Sequence, residues 1–112
     1  MRPRQGDIVL IPVPFTDLSS RKRRPVIVVS SSTYNFAGPD MIVVAMTSNP
    51  SPTPWSFRME STDLEDGRLN RPGTVRVDRI YTLAQSLAVV RFGAVSRHVL
   101  DRIRSMLGDV VA

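Results

Sequence analysis

The stretch RRPVIVV, residues 23–29, gives the clearest indication of the fold in a chain of 112 residues. Its last four residues, Val26 to Val29, are an unbroken β-branched run, which is typical of a strand buried on both faces. Pro25 favours extended geometry at the residue before it, Arg24. The stretch therefore predicts a central strand with an arginine at its entrance.

Similar short apolar runs lie on both sides of this strand and are separated by proline, glycine and serine. The predicted strands are Ile8–Val13, Val26–Val29, Met41–Met46, Phe57–Glu60, Thr74–Ile80 and Leu87–Phe92. Between them, Thr16–Arg23 is a basic loop, Ser31–Asp40 a ten-residue connection and Ser61–Asn70 a solvated acidic loop. This rhythm predicts a mainly β fold, a small barrel or sandwich.

A helix is predicted at the C-terminal end, where Ser96 can act as the N-cap. Its apolar positions recur at helical spacing and predict a core-facing stripe: Val99, Leu100, Ile103, Met106 and Leu107. The only histidine, His98, falls in the first turn, where we expect a structural or solvent-facing side chain.

Composition limits the classes of protein and of site. With 42% hydrophobic residues, the chain fits one domain spanning residues 1–112. The absence of cysteine excludes disulfides and cysteine metal sites. The longest apolar stretch, Ile8 to Phe15, is far short of the ~20 residues of a membrane helix. No signal-peptide cleavage site follows it, so we expect a cytoplasmic protein without membrane contact.

The charge is basic and unevenly distributed. The net charge is +5, and residues 2–24 alone carry +4, which indicates a nucleic acid or an acidic partner. Fourteen of the fifteen cations are arginine, from either genomic base composition or selection for bidentate phosphate binding.

Several catalytic classes lack their residues. A single imidazole supplies neither an acid and base pair nor a Ser-His-Asp triad. The six glycines are scattered and form no phosphate loop. One acidic group has the composition of a magnesium site but is better interpreted as part of a solvated loop: Glu60, Asp63, Glu65 and Asp66. We therefore expect no metal and no cofactor.

A register argument brings two polar residues together. If residues 24–30 and 41–47 pair as an antiparallel hairpin with matched ends, the numbers of opposing residues sum to 71. Arg24 then lies opposite Thr47, with their Cβ atoms about 5 Å apart. Arg21, Lys22 and Arg23 lie in the adjacent loop. The pair is either a phosphate clamp or a surface pair of no consequence.

Three further positions have open interpretations. Arg79 shares its strand parity with Val75 and Val77, so without a bulge it points to the core side, at the end of a sheet or in a site. Trp55 is either a core residue or a platform on which a base stacks. Phe15 and Phe57 are expected in the core.

Five segments carry a resemblance to a known family. In chain order they are Gly6-Asp7-Ile8-Val9, Pro14-Phe15-Thr16-Asp17-Leu18, Arg23-Arg24-Pro25-Val26-Ile27-Val28, Val44-Ala45-Met46-Thr47-Ser48 and Thr74-Val75-Arg76-Val77-Asp78-Arg79-Ile80-Tyr81-Thr82-Leu83. The series resembles the MazF/PemK toxin endoribonucleases over nearly the whole chain. The resemblance implies an SH3-like antiparallel barrel with a C-terminal helix and a homodimer. It also implies cleavage of single-stranded RNA and inhibition by a cognate acidic antitoxin.

Matching positions imply roles for individual residues. The family's catalytic arginine falls on Arg24 and its catalytic threonine on Thr47, and the loop over the site on Asp17–Arg23. This loop resembles a basic Thr-Asp-Leu-Ser version rather than a longer Ser-Glu-Gln one, so its RNA contacts and the cleaved sequence stay open. The residues expected to bind RNA are Ser20, Lys22, Arg23, Ser48, Trp55, Asp78 and Arg79.

The hypothesis for the reaction is attack of the RNA 2′-hydroxyl on the adjacent phosphorus, which needs no metal. Asp78 is the candidate proton acceptor if a carboxylate takes part. Two alternatives remain: a catalytically silent nucleic-acid-binding barrel, and a toxin of the same barrel type that acts on a topoisomerase.

Overall fold

The computed structural model describes residues 2–12, 22–50 and 52–112. Seven strands form one sheet: β1 Asp7–Pro12, β2 Arg23–Val28, β3 Asp40–Thr47, β4 Ser56–Met59, β5 Leu64–Gly67, β6 Gly73–Ala84 and β7 Val90–Val95. Two α-helices accompany them in this described part of the chain: α1 Ser32–Ala37 and α2 Arg97–Val110. The strand order is β4-β6-β3-β2-β1-β7-β5, every neighbouring pair is antiparallel, and the sheet curls into a half-barrel. The predicted mainly β fold with a C-terminal helix is confirmed.

The sheet buries apolar side chains on both faces. Ile27 contributes to the core that packs against α2, called here the helix-side core, which also contains Ile8, Val44, Met46, Val75, Val77, Val99 and Ile103. Its strand neighbours Val26 and Val28 point to the other face and belong to the second core, with Val9, Ile11, Met41, Val43 and Leu83. Residues Val26, Ile27 and Val28 are at most 2% exposed, so the prediction of a strand buried on both faces is confirmed.

The pairing of β2 with β3 follows the predicted register. Val26 lies opposite Ala45, Ile27 opposite Val44, and Val28 opposite Val43, so the residue numbers of each pair sum to 71. The start of β2 and the end of β3 therefore meet at one edge of the sheet, because the strands are antiparallel.

A bulge interrupts β6. Val44 pairs with Ile80 and the next residue, Ala45, pairs with Arg76, so three residues of β6 have no partner on β3. Arg79 lies in this bulge and is exposed, away from the valines whose parity it shares. The prediction that Arg79 points to the core side held only without a bulge. Since a bulge is present, Arg79 does not point into the core.

The predicted solvated loop Ser61–Asn70 is wrong in part, because it contains a 3-10 turn, Ser61–Asp63, and strand β5. The turn is fixed by two hydrogen bonds: the Glu60 N–H donates to Asp63 Oδ2 at 2.8 Å, and the Asp63 N–H donates to the Glu60 backbone carbonyl at 2.9 Å. Strand β5 then packs closely on β7: a Cβ at Gly67, where φ is +84°, would lie 2.3 Å from the Phe92 carbonyl oxygen. Polar composition concealed β5 because it is an exposed edge strand.

Three other predicted segments differ from the structure. Strand β6 continues four residues beyond the predicted end at Ile80, to Ala84. The last strand is Val90–Val95 rather than Leu87–Phe92, and a 3-10 turn, Gln85–Leu87, precedes it. The connection Ser31–Asp40 contains α1, whose N-cap Ser31 accepts a hydrogen bond from the Tyr34 N–H. This helix buries Asn35, whose side chain donates to the carbonyls of Pro3 and Ser30.

Helix α2 forms as predicted. The Ser96 hydroxyl accepts a hydrogen bond from the Val99 N–H at 3.2 Å. Val99 and Ile103 are buried, and Leu100, Met106 and Leu107 pack on the same core. His98 is exposed, as expected. Among the helices of the described residues, none is long and apolar enough to cross a membrane.

Candidate nucleic-acid interface

Arg24 and Thr47 lie at the sheet edge where β2 begins and β3 ends. Extending the observed register by two residues from the Val26–Ala45 pair places Arg24 opposite Thr47. Both side chains line a cleft of about 470 Å³, called here the main cleft. Its lining also includes Val26, Ala45, Arg76, Arg79 and Tyr81. The two residues joined by the register argument thus share one concave surface.

The main cleft is cationic. Among the described residues, the guanidinium of Arg24 has no hydrogen-bond or ion-pair partner, and that of Arg79 has none at contact distance. Arg76 instead forms two hydrogen bonds with Asp78, Nε to Oδ1 and Nη2 to Oδ2, each 3.1 Å long. Two guanidinium groups are therefore available to oxyanions of a ligand, and a third is held at the rim.

The Arg76–Asp78 pair fixes the ionisation of both groups. The hydrogen bond from Arg76 is the largest cause that lowers the pKa of Asp78 below its ordinary value, and Arg79 adds a smaller contribution in the same direction. The same bond raises the pKa of Arg76. Asp78 is exposed and remains a carboxylate at neutral pH.

The hydroxyl of Thr47 is oriented by the backbone. The Asn49 N–H donates to Thr47 Oγ1 at 3.2 Å, just beyond the end of β3. The hydroxyl proton can therefore point to another acceptor, such as a phosphate oxygen in the cleft. The side chain is half-buried and thus restricted yet accessible.

Two residues beside this pair escaped the sequence analysis. Thr47 pairs with Thr74 on β6, and Thr74 pairs with Arg58 on β4. Arg58 Nη1 donates to Thr74 Oγ1 at 2.8 Å, and Thr74 is only 2% exposed. Arg58 follows Phe57, which is buried, so the alternation of side chains along a strand predicts that Arg58 points to the opposite face. Its alignment with Thr47 depends on two long-range strand pairings that no local pattern reveals.

The other predicted site residues fall into three groups. Lys22, Arg23 and Ser48 are exposed near the same edge, and Arg23 and Ser48 line a second, smaller cleft that also reaches Arg24 and Thr47. Ser20, Phe15 and most of the loop Asp17–Arg23 lie outside the described residues.

Trp55 forms the third group. It is 36% exposed and belongs to neither core, so the core interpretation is wrong, whereas Phe57 is buried as expected. The Trp55 carbonyl accepts a hydrogen bond from the Val77 N–H at 2.9 Å, which ties the residue to the bulge of β6. The indole therefore lies at the surface on the segment that leads into β4.

The acidic residues near the 3-10 turn have structural partners. Asp63 accepts a hydrogen bond from the Glu60 N–H at 2.8 Å. Asp66 forms an ion pair of 2.9 Å with Arg91. Within the part of the chain that the structure describes, no group of three or more histidine, cysteine, aspartate or glutamate residues is arranged to hold a metal ion.

Comparison with known families and structures gives a consistent result. Residues 4–111 match the family model described as PemK-like, MazF-like toxin of type II toxin-antitoxin system. No curated protein sequence matches significantly.

Solved structures share the fold at low sequence identity. A MazE–MazF complex from Deinococcus radiodurans matches with a TM-score of 0.80 and 24% identity, covering 99% of this chain and 97% of the other. An endoribonuclease from a mycobacterial species gives 0.78 and 22%, covering 99% and 92%. An endoribonuclease in complex with its cognate antitoxin, also mycobacterial, gives 0.77 and 22%, covering 97% and 94%.

Proposed function

Because the chain belongs to the PemK-like, MazF-like toxins of type II toxin–antitoxin systems, we propose that it is a sequence-specific, metal-independent endoribonuclease that cleaves single-stranded RNA. One observation carries the proposal: Arg24, with a guanidinium that has no partner among the described residues, and the half-buried Thr47 share a cationic cleft at one sheet edge. The solved relatives that are named endoribonucleases support it.

The proposed reaction is an internal transesterification. The 2′-oxygen of the ribose attacks the adjacent phosphorus and the bond from phosphorus to the 5′-oxygen breaks. The products are a 2′,3′-cyclic phosphate and a 5′-hydroxyl, and the proton lost by the 2′-hydroxyl is balanced by the one gained at the leaving oxygen. Arg24 neutralises the charge that develops on the non-bridging oxygens, and Thr47 donates a hydrogen bond to one of them.

Charge neutralisation by guanidinium groups is the basis for proposing metal independence. Arg24 and Arg79 supply positive charge in the cleft, the role that a divalent cation has in other nucleases, whereas Asp78 balances the charge of Arg76. Asp78 is a weak proton acceptor because its pKa is lowered by the bond to Arg76. Its proposed role is therefore to position Arg76, and not to deprotonate the 2′-hydroxyl.

Substrate binding is assigned to the exposed residues around the pair. Lys22, Arg23 and Arg79 contribute positive charge for the phosphates, and Ser48 adds a hydroxyl at the sheet edge. Trp55 offers an exposed ring on which an unpaired base can stack. The proposal that Ser20 contacts RNA rests on the sequence alone.

The proposed partners are an acidic antitoxin and a second copy of the chain in a cytoplasmic homodimer. An acidic peptide can occupy the cationic surface that RNA uses and so compete with it. Solved relatives that contain MazE or a cognate antitoxin support the antitoxin as a partner.

The test is incubation of the purified protein with a long single-stranded RNA in excess chelator, followed by mapping of the 5′ ends. We expect cuts at a recurring short sequence with 5′-hydroxyl and cyclic phosphate ends. A 2′-deoxy substitution at the cleaved nucleotide should abolish the cut. Cleavage that requires added metal, or equal cleavage of DNA, would overturn the mechanism.

A further inference from the structure

A second cationic groove begins at the Arg24–Thr47 pair and leads away from the main cleft. Its first part, of about 270 Å³, is lined by Arg24, Thr47, Leu69 and Arg71, among others. Its second part, of about 400 Å³, shares Leu69 and Arg71 and adds Leu10, Arg68 and Phe92. The two parts are therefore contiguous, and we call them together the side groove.

The main cleft and the side groove extend onto opposite faces of the sheet. Val26, which lines only the main cleft, belongs to the second core. Phe92, which lines only the side groove, packs against the helix-side core. Both surfaces reach Arg24 and Thr47, because Arg24 lies at the beginning of β2 and Thr47 at the end of β3, where the sheet ends. A polynucleotide held at that pair can thus cross the edge and lie in both.

The side groove carries positive charge, and the described residues that line it supply no counter-charge. Arg68 and Arg71 are exposed, and neither side chain has a hydrogen-bond or ion-pair partner within residues 2–12, 22–50 and 52–112. No carboxylate from these residues lines either part of the groove. By contrast, Arg76 and Arg91 are held by aspartates. Unpaired guanidinium groups in a concave surface are suited to phosphate oxygens.

The backbone that carries these arginines is held in place. The Ser61 hydroxyl accepts a hydrogen bond from the Leu69 N–H at 2.8 Å and donates one to the Leu69 carbonyl at 3.0 Å. On the N-terminal side, Gly67 packs directly against the backbone of β7. The segment is therefore preorganised, which reduces the entropy lost when a ligand binds.

We propose that the side groove is a subsite for the nucleotides that flank the cut on one side. Arg71 and Arg68 bind their phosphates, and the apolar surface of Leu10 and Phe92 contacts a base. Ser61 is a positioning residue that acts through Leu69. The inference rests on the proposed endoribonuclease function, since it extends the substrate path from the same Arg24–Thr47 pair.

The test compares RNA oligonucleotides that end near the mapped cut with oligonucleotides extended on the 5′ or the 3′ side. For the unaltered protein, extension on one side should lower Kd. In Arg71→Ala the Kd advantage of that extension should fall on the order of tenfold, and in Arg68→Ala it should fall as well. The slope of log K against log salt should decrease by about 0.7 for each phosphate that the variant no longer neutralises.

Arg97→Ala is the matched control, because Arg97 is an exposed arginine on α2 outside both clefts. It should keep the affinity and the salt slope of the unaltered protein. Ser61→Ala should raise KM for the extended oligonucleotide and leave kcat unchanged, a split that a general loss of folding does not give. Thermal unfolding of each variant verifies that it folds.

The outcomes separate this inference from the proposed function. If the unaltered protein cleaves RNA while Arg71→Ala and Arg68→Ala bind the extended oligonucleotide like Arg97→Ala, the subsite is refuted and the endoribonuclease stands. If the unaltered protein cleaves no RNA, the proposed function fails instead. If the two variants lose affinity for a polyglutamate peptide but not for RNA, the groove binds a protein and the inference is also refuted.

Discussion

Arg76, which lines the main cleft, binds both carboxylate oxygens of Asp78 at 3.1 Å. Arg76 and Asp78 are separated by one residue on β6, and side chains at this spacing lie on the same face of a strand. Because of this bond, the guanidinium of Arg76 is not available to a ligand. The guanidinium groups of Arg24 and Arg79 have no contact partners among the described residues. The cleft thus contains both free and held positive charge.

The Arg76–Asp78 pair predicts an acid-dependent loss of stability. The pKa of Asp78 in the folded protein is below its ordinary value of 3.8, so the pair stabilises the fold fully above pH 3.8. This contribution disappears as pH falls through the lowered folded pKa. The Tm difference between the unaltered protein and Asp78→Asn should be constant from pH 5 to 7 and shrink toward pH 2. A difference that grows on acidification would contradict the assignment.

Thr47→Ala should separate cleavage from binding. If Thr47 stabilises the transition state, its removal should lower kcat by about 10² to 10³-fold. RNA affinity should change little, because the arginines of the cleft remain. Single-turnover cleavage rates and Kd values for the same oligonucleotide measure the two effects, and Thr33→Ala, an exposed threonine on α1, is the matched control.

The same variants address the two alternatives. If the protein is a nucleic-acid-binding barrel without activity, the unaltered protein and Thr47→Ala should both bind RNA and leave it uncut. A toxin directed at a topoisomerase predicts that growth arrest persists in Arg24→Ala, since the pair would then be expendable. Loss of growth arrest in Arg24→Ala, together with loss of cleavage, is the outcome expected for an endoribonuclease.

Competition by an acidic peptide should depend on salt. The main cleft and the side groove carry arginines and, among their described lining residues, no carboxylate. The affinity of an acidic peptide for these surfaces should fall as salt ions screen the charges, because the Debye length is only about 10 Å at 0.1 M salt. The inhibition constant for RNA cleavage should therefore rise between 50 and 300 mM salt. An inhibition constant that stays unchanged would indicate binding through apolar contacts elsewhere.

Local patterns predicted the part of the site that depends on adjacent strands. The β-branched run and Pro25 placed Arg24 at the start of a strand, and a matched hairpin then fixed the partner of Val26 as Ala45. Every step used residues within one hairpin, where the alternation of side chains limits the register.

The parts that sequence missed depend on contacts between distant segments. The bulge that exposes Arg79 is a mismatch between β3 and β6, and β5 forms because Gly67 meets Gly93 across a narrow gap. Arg71 enters the side groove because Ser61 holds the backbone of Leu69. Such contacts follow from the assembled sheet, and no periodicity within a short window reports them.

Arg91→Met should destabilise the fold by leaving a buried carboxylate without its cation. Asp7 is 3% exposed and accepts hydrogen bonds from Arg91 Nε at 2.9 Å and from the Arg4 N–H at 2.8 Å. Arg91 also reaches Asp66, so it joins β7 to both β1 and β5. The loss of such a bond costs about 1–3 kcal/mol in the free energy of unfolding. Urea denaturation measures it.

The control for this prediction is Arg97→Ala, which removes an exposed ion pair with Asp101 and should change the free energy of unfolding by less than about 1 kcal/mol. The double variant Asp7→Asn with Arg91→Met should recover part of the loss, because it removes the unpaired charge together with its cation. If the losses of unfolding free energy in Arg91→Met and in Asp7→Asn simply added up in the double variant, the two side chains would act independently. The ion pair would then have no part in joining β7 to β1.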